Sequence, residues 1–357
     1  VKEHIMKRLL VTGSGGLIGS ETVLYFAARD WEVYGIDNNQ RRAFFGDNGD
    51  TDGNLAWLRS QVPNYRHFAL DIRERSAILS LFKDHHFDAI VHCAAQPSHD
   101  LAAKIPFDDF DINAVGTLNL LEATRRSCQD SPFVLMSTNK VYGDAPNEKL
   151  LAETELRFDY LLEADYHGIN EHCRIDNCLH SLFGASKAAA DLLAQEYGKY
   201  FHMPVGVFRG GCLTGSHHSG VELHGFLNYL TKTAVHGRPY TVYGYGGKQV
   251  RDNIDAFDVA SAFWHFCSSP RCGEVYNLGG GRQNNVSMRE AIGKLDQLTG
   301  KELAWQYNDS HRRGDHICYI SDTRKFQQHY PAWKLTKSID EILAEMVDFE
   351  LRAQRLA

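Results

Sequence analysis

A chain of 357 residues with 43% hydrophobic content can bury a full core and is long enough for one large or two coupled domains. Its formal charge of -7 and pI near 6.2, with Lys and Arg scattered along the chain, give no basic field for wrapping nucleic acid, although a small phosphate ligand is compatible. No apolar run approaches the roughly 18 to 20 residues of a membrane helix, and residues 1–10 are too charged for a signal-peptide core, so a cytoplasmic protein is expected. The eight cysteines are dispersed without the spacing of a disulfide framework, which fits a reducing compartment. His172, Cys173, Cys178 and His180 have zinc-binding side chains but lack the paired spacing of a structural site, and no metal is expected.

In chain order, short apolar runs alternate with helical patterns through the first two thirds. Strands are predicted over 8–11, 32–36, 67–70, 89–92, 133–136 and 205–208, with helices over 17–28, 76–83, 114–126 and 186–201. This alternation argues for parallel strands joined by crossover helices, an α/β doubly wound sheet. Beyond residue 210 it weakens: helices are predicted over 226–236, 288–298 and 339–351 and a strand over 240–242. The polar stretches 41–53 and 146–177 are long for plain connections and read as lids or binding loops.

The first strand runs into Thr12-Gly13-Ser14-Gly15-Gly16-Leu17-Ile18-Gly19, where glycines 13, 16 and 19 recur every three residues at a strand-to-helix turn. Glycine permits the tight turn and lets backbone amides approach a pyrophosphate at the helix N-terminus. Asp37, followed by Asn38, closes the second strand where a carboxylate holds adenosine ribose hydroxyls. Together these predict a Rossmann-type dinucleotide site. An acidic residue there repels a 2'-phosphate and favours NAD over NADP, while Arg41 and Arg42 pull the other way. The alternative for Asp37 is a turn or helix cap.

Further segments extend the pattern: Asp71-Ile72, Cys93-Ala94-Ala95-Gln96, Asn113, Ser137-Thr138-Asn139-Lys140-Val141-Tyr142-Gly143, Gly184-Ala185-Ser186-Lys187, Phe208-Arg209, Arg251-Asp252 and Arg313-Gly314-Asp315. With the glycine turn they resemble the extended short-chain dehydrogenase/reductase family of NAD-dependent epimerases and dehydratases over nearly the whole chain. Residues 137–144 and 247–252 are most similar to those of CDP-tyvelose (CDP-paratose) 2-epimerases.

The resemblance implies NAD as cofactor and a nucleotide-diphosphate sugar as substrate. The expected domains are 6–210 for NAD, with 251–266 returning to it, and a smaller mixed α/β domain of 211–250 and 267–352 for the nucleotide sugar. Asp71 and Ile72 would flank the adenine, Ala94, Ala95 and Gln96 would run beside the cofactor with Asn113, and Lys187 would hold the nicotinamide ribose. Thr138 matches the Ser/Thr that bonds the reacting sugar hydroxyl, with Asn139 and Lys140 beside it. Arg209, Arg251 and Arg313 sit where relatives bind substrate, a planar guanidinium fork suiting a diphosphate. Asp252 is expected to orient Arg251, and Tyr276-Asn277 to face the nucleotide. Relatives commonly dimerise through a four-helix bundle, and the helices over 114–126 and 186–201 match those positions.

One departure stands at the centre of this resemblance. The family's Tyr-x-x-x-Lys, whose phenolate takes the substrate proton, is here Phe183-Gly184-Ala185-Ser186-Lys187, so the phenol oxygen is missing. A positioned base contributes roughly 10² to 10⁴ in rate. Either the base has moved, or residue 183 is a substitution that disables the chain, or the chain binds without turnover. Lys187 and Thr138 lead as displaced bases, with His180, Cys93 and Cys212 behind them. Tyr142 reads as a packed residue at the end of the fifth strand. The leading reading is an epimerase acting through a transient keto-sugar. A dehydratase is disfavoured because Asn139-Lys140 replaces the acidic pair of 4,6-dehydratases, and an NAD-binding protein with little turnover is the non-enzymatic alternative.

Overall fold

The computed structural model describes residues 6–215, 225–310 and 314–356. Seven strands form its main sheet: β1 (Arg8–Thr12), β2 (Glu32–Ile36), β3 (Arg66–Phe68), β4 (Ala89–His92), β5 (Phe133–Thr138), β6 (Val205–Gly210) and β7 (Glu274–Leu278). Their order is β7-β6-β5-β4-β1-β2-β3, and the β1–β2, β1–β4, β2–β3 and β4–β5 pairings are parallel. Leu9, Leu10, Val11, Ile90 and Val91 have no exposed surface, as expected of strands covered on both faces. The covering helices include Leu17–Ala27, Arg75–Asp84, Gly116–Ser127 and Ser181–Tyr200. Strand order reverses between β1 and β4, and in such sheets ligands bind at the carboxyl ends of the strands beside the reversal.

The chain divides into two compact units. The first comprises the residues up to Val141, Leu182–Arg209 and Val259–Tyr276; the second comprises Tyr142–Ser181, Gly210–Asp258 and the residues from Asn277 onward. In the second unit, strand Val250–Asp255 pairs in parallel with Cys318–Tyr319 and Cys212–Thr214 and antiparallel with Asn285–Ser287. Tyr240–Tyr243 pairs with Trp305–Asn308. Helices Phe226–Val235, Met288–Thr299 and Ile339–Leu356 contribute Leu230, Leu295 and Leu343 to a separate core. Ser287 caps the second of these in a capping box with Glu290.

These boundaries depart from the expected ones. Residues 142–181, assigned by sequence to the NAD domain, cluster with the second unit, and the return to the first unit runs over Val259–Tyr276 rather than 251–266. β7 completes the main sheet although its five residues carry too little periodicity to announce a strand. The stretch 41–53 is ordered: helix Gln40–Phe45, a turn over Gly46–Gly49 and the start of helix Asp52–Gln61. Asn39, in the left-handed region at φ 53°, organises it by donating to Asp50 Oδ1 (2.7 Å) and accepting from the Thr51 amide (3.1 Å). The stretch 146–177 contains the strand pair Leu151–Glu153 and Phe158–Tyr160.

Candidate functional site

In the first unit β1 ends at Thr12, and Gly13 turns the chain at φ +69°. A Cβ there would lie 2.8 Å from the Ala94 amide nitrogen. Gly13 O accepts from the Gly16 amide (3.0 Å), and a Cβ on Gly19 would fall 2.0 Å from that same oxygen. Only glycine lets helix Leu17–Ala27 start this close to the turn. Gly16, as N-cap, provides no side-chain acceptor, so Leu17 and Ile18 open a helix whose positive end is suited to an anion.

Asp37, half-buried at the end of β2, accepts from the Gly15 amide (2.9 Å) and the Asn39 amide (2.8 Å). Asn38 is exposed and donates to Asp71 Oδ2 (3.1 Å), joining the loops that follow β2 and β3. Burial raises the Asp71 carboxyl, but bonds from the Arg73 side chain (2.7 Å) and amide (2.9 Å) outweigh it and hold the group below the ordinary carboxylate range. Ile72 is 5% exposed and packs on Gly116, so its side chain belongs to the core. Arg42 pairs with Asp47 (3.1 Å) and Asp50 (3.5 Å), and the Arg41 guanidinium lies 5.1 Å from the Phe45 ring centroid.

After β4, the Ala94 amide donates to Thr12 Oγ1 (3.2 Å), and Ala94 and Ala95 are half-buried. Gln96 is fully buried and satisfied within the protein: its backbone N–H donates to Asn113 Oδ1 (2.9 Å) and its Nε2 donates to Asp109 Oδ1 (2.7 Å). Asn113 sits in a π-helical segment, Asp111–Val115, and its Nδ2 reaches Ser186 Oγ (3.0 Å). Beneath lies a second chain of bonds. Thr117 Oγ1 donates to Asn113 O (2.6 Å), so it accepts from His92 Nε2 (2.9 Å), and His92 Nδ1 then accepts from Thr12 Oγ1 (2.7 Å). Burial first, and Lys187 second, lower the His92 pKa to about 3 and keep the ring neutral.

Lys187, 4% exposed, donates from Nζ to Met136 O (3.0 Å), two residues before Thr138 on β5. Burial lowers its pKa to about 8, against Asp191, Cys93 and Asp109, which raise it. Thr138 Oγ1 accepts from the Lys140 amide (3.2 Å) and donates to Asn139 Oδ1 (3.4 Å); Asn139 is buried, while Thr138 and Lys140 are half-buried. The Phe183 ring is 8% exposed. Burial pushes the Cys93 thiol up to about 12, which removes it as a thiolate base at neutral pH.

Arg209, expected to meet substrate, has another partner. It is 3% exposed and binds Asp191 through Nε (3.0 Å) and Nη2 (2.8 Å), and Asp191 also accepts from Ser137 Oγ (2.6 Å). Asp191, Asp109 and His92 were missed by sequence reasoning. The available signal was a lone polar residue in an apolar run, such as Asp191 within Ala188–Ala194 four residues after Lys187.

In the second unit Arg251 is paired with Asp315 (2.9 Å), not with Asp252. Asp252 has no exposed surface and accepts instead from the Gly281 (3.1 Å) and Ser321 (3.0 Å) amides; its carboxyl is raised by burial. Tyr142 is buried and donates to Asn277 Oδ1 (2.7 Å). Asn277 itself is buried, donating to Ile169 O (2.7 Å), and in the first unit Tyr276 packs on Phe208, so neither side chain is presented to a nucleotide. His180 and Cys178 lie 3.8 Å apart, and burial raises the Cys178 thiol. Cys212 is half-buried. Arg313 lies outside the described residues. Among the described residues no group of three or more His, Cys, Asp or Glu is placed to hold a metal, and no helix is long and apolar enough to cross a membrane.

The sequence model of the NAD dependent epimerase/dehydratase family matches residues 9–279. The chain is 31% identical over 325 residues to CDP-paratose 2-epimerase from Salmonella typhi, covering 89% of this chain and 92% of that protein. It is 28% identical over 371 residues to dTDP-glucose 4,6-dehydratase from Xanthomonas campestris pv. campestris, covering 98% and 94%. Among solved structures, UDP-glucose 4-epimerase from Thermus thermophilus in complex with NAD is 26% identical with a TM-score of 0.77, covering 97% of this chain and 99% of that one. The fold also matches UDP-glucuronic acid 4-epimerase from Bacillus cereus, 23% identical, at a TM-score of 0.79 over 97% and 99%.

Proposed function

The chain belongs to the NAD-dependent epimerase/dehydratase family, and from that premise we propose a nucleotide-sugar epimerase of the CDP-paratose 2-epimerase type in which Lys187 replaces the absent phenol. The observation that carries this reading is the Lys187 amine, buried beside the β5 terminus with a pKa lowered to about 8. The fit to NAD rests on the Gly13 and Gly19 positions, which a Cβ would close, on the uncapped helix start and on the Asp37 carboxylate. When bound, NAD supplies a reversible hydride acceptor.

Asp37 would hold the adenosine ribose, Gly13 to Gly19 the pyrophosphate, and Asp71 the adenine edge. Thr138 would bond the reacting sugar hydroxyl. Neutral Lys187 takes the hydroxyl proton as the carbonyl forms, and returns the same proton when the alcohol is restored, so the cycle is closed. Its bond to Met136 O holds the amine in place and leaves the nitrogen lone pair available. Arg251 is assigned to the substrate diphosphate and would exchange Asp315 for phosphate oxygens. A homodimer is the proposed assembly, supported by Leu182, Leu192 and Tyr200, exposed along helix Ser181–Tyr200. All eight cysteines are free thiols, which supports a cytoplasmic setting.

The test is turnover of CDP-, GDP- and UDP-sugars by the unaltered protein, Lys187→Met and Phe183→Tyr, with product followed by chromatography and NADH at 340 nm. Epimerised product from the unaltered protein, lost in Lys187→Met, is expected. Product only after Phe183→Tyr would show that residue 183 disables an ordinary site, and loss of one water from substrate would point to a dehydratase.

A further inference from the structure

We propose that Asp109 is a positioning residue, which through Ser186 fixes the helix turn carrying Lys187 and by its own charge sets how readily that amine holds its proton. The inference rests on the reading of Lys187 as the base. Four side chains build the arrangement, each at most 1% exposed: Gln96, Asp109, Asn113 and Ser186. Asp109 Oδ1 accepts from Gln96 Nε2 (2.7 Å) and Asn113 Nδ2 (3.2 Å), and Oδ2 accepts from Ser186 Oγ (2.6 Å). All three donors are neutral, and among the described residues Asp109 forms no ion pair. Burial raises its carboxyl, and when ionised its charge is solvated locally but not cancelled, in a medium where charges act over long distances.

That charge acts on Lys187, the residue after Ser186. The groups acting on Lys187 are Asp191, on the same helix, Cys93 and His92 at the end of β4, and Asp109 from helix Pro106–Phe110. Asp191 is already bound to Arg209, which blunts its effect. Asp109 is the carboxylate without a cation of its own.

Ser186 makes the link responsive. With Asp109 ionised, the serine hydrogen points to Asp109 Oδ2. With Asp109 protonated, the carboxyl can donate to Ser186 Oγ, whose hydrogen then turns to Phe183 O at 3.1 Å. Both states are fully bonded, so protonation of Asp109 need not break the turn. The same logic makes Asp109→Asn compatible with the fold: the amide oxygen keeps Gln96 and Asn113, and the amide nitrogen donates to Ser186.

The experiment titrates the Lys187 side chain by NMR in the NAD-saturated full chain, using protein carrying ¹³C-labelled lysine and assigned with Lys187→Met. Asp109→Asn is expected to lower the Lys187 midpoint by at least about 0.5 pH unit and to move the rising limb of kcat/KM by the same amount. Ser186→Ala, which keeps the charge, is expected to move it less than half as far. A midpoint in Asp109→Asn within about 0.2 unit of the unaltered protein would overturn the proposal. Should Asp109→Asn fail to fold, the Asp109 carboxyl resonance of the unaltered chain decides: a second inflection at the Lys187 midpoint is expected, and a single-step curve overturns it. Full activity in Lys187→Met would instead overturn the base assignment, and the Lys187 titration would still read the Asp109 effect.

Discussion

Lys187 carries the chemistry proposed here, and its lowered pKa gives that role a pH signature. A base must be neutral to accept a proton, so kcat/KM should climb as pH rises through about 8 and level off above it. A rate that falls over the same interval would contradict the assignment. Lys187→Met should cost about 10² or more in kcat, measured with saturating NAD. At the cofactor end, Asp37→Ala removes the carboxylate that also anchors the Gly15 and Asn39 amides, and NAD affinity should weaken about tenfold by calorimetry, the worth of roughly one charge-assisted bond. The glycine turn at the end of β1, Asp37 after β2, Thr138 at the end of β5 and the spacing of Phe183 and Lys187 were legible from sequence, because each is a matter of local spacing. The meeting of Asp109 with Ser186 was not, since it spans 77 positions in the chain and Asp109 belongs to no motif. Arg209 misled for a related reason: a guanidinium in the right place reads as a phosphate ligand until Asp191, 18 residues earlier, is seen to occupy it.

At the scale of elements, close approach is what the glycine turn provides. Gly19→Ala places a methyl 2.0 Å from Gly13 O, so the helix must shift; a loss of roughly 1 to 3 kcal/mol in denaturant unfolding and a parallel loss of NAD binding are expected. In the second unit, Ser287 accepts from the Glu290 amide (3.0 Å) and donates to Leu156 O (2.7 Å). Ser287→Ala should cost about 1 kcal/mol or somewhat more, because the carbonyl loses its donor along with the cap. Seven of the helices and the first six strands of the main sheet were visible as periodicity, to within about five residues at their ends, but helix Ala256–Ser268 was not. Short pieces were not: Cys212–Thr214, Asn285–Ser287 and Cys318–Tyr319 are strands because Val250–Asp255 offers them edges, which no window of their own sequence records. The ordered stretch after Asn39 was hidden by polarity, its shape fixed by one left-handed asparagine.

For the whole molecule, the neutral His92 ties stability to pH. Its folded pKa of about 3 lies below the ordinary value of 6.5, so below pH 6.5 the unfolded chain takes up a proton that the native one refuses. Stability is lost as pH falls from 6.5, by roughly 2 to 3 kcal/mol at pH 4.5. Unfolding curves for His92→Asn should lack this component, and an equal acid slope in both proteins would show that other groups govern it.

The chain passes between its two units after residues 141, 181, 209, 258 and 276. No single cut therefore separates the two units, and a gene fragment ending before Glu274–Leu278 lacks the seventh strand of the sheet. The ribosome meets the same constraint. Until that strand emerges, Val205–Gly210 presents an open edge in the nascent chain, a template for mispairing that a chaperone or fast downstream synthesis must cover.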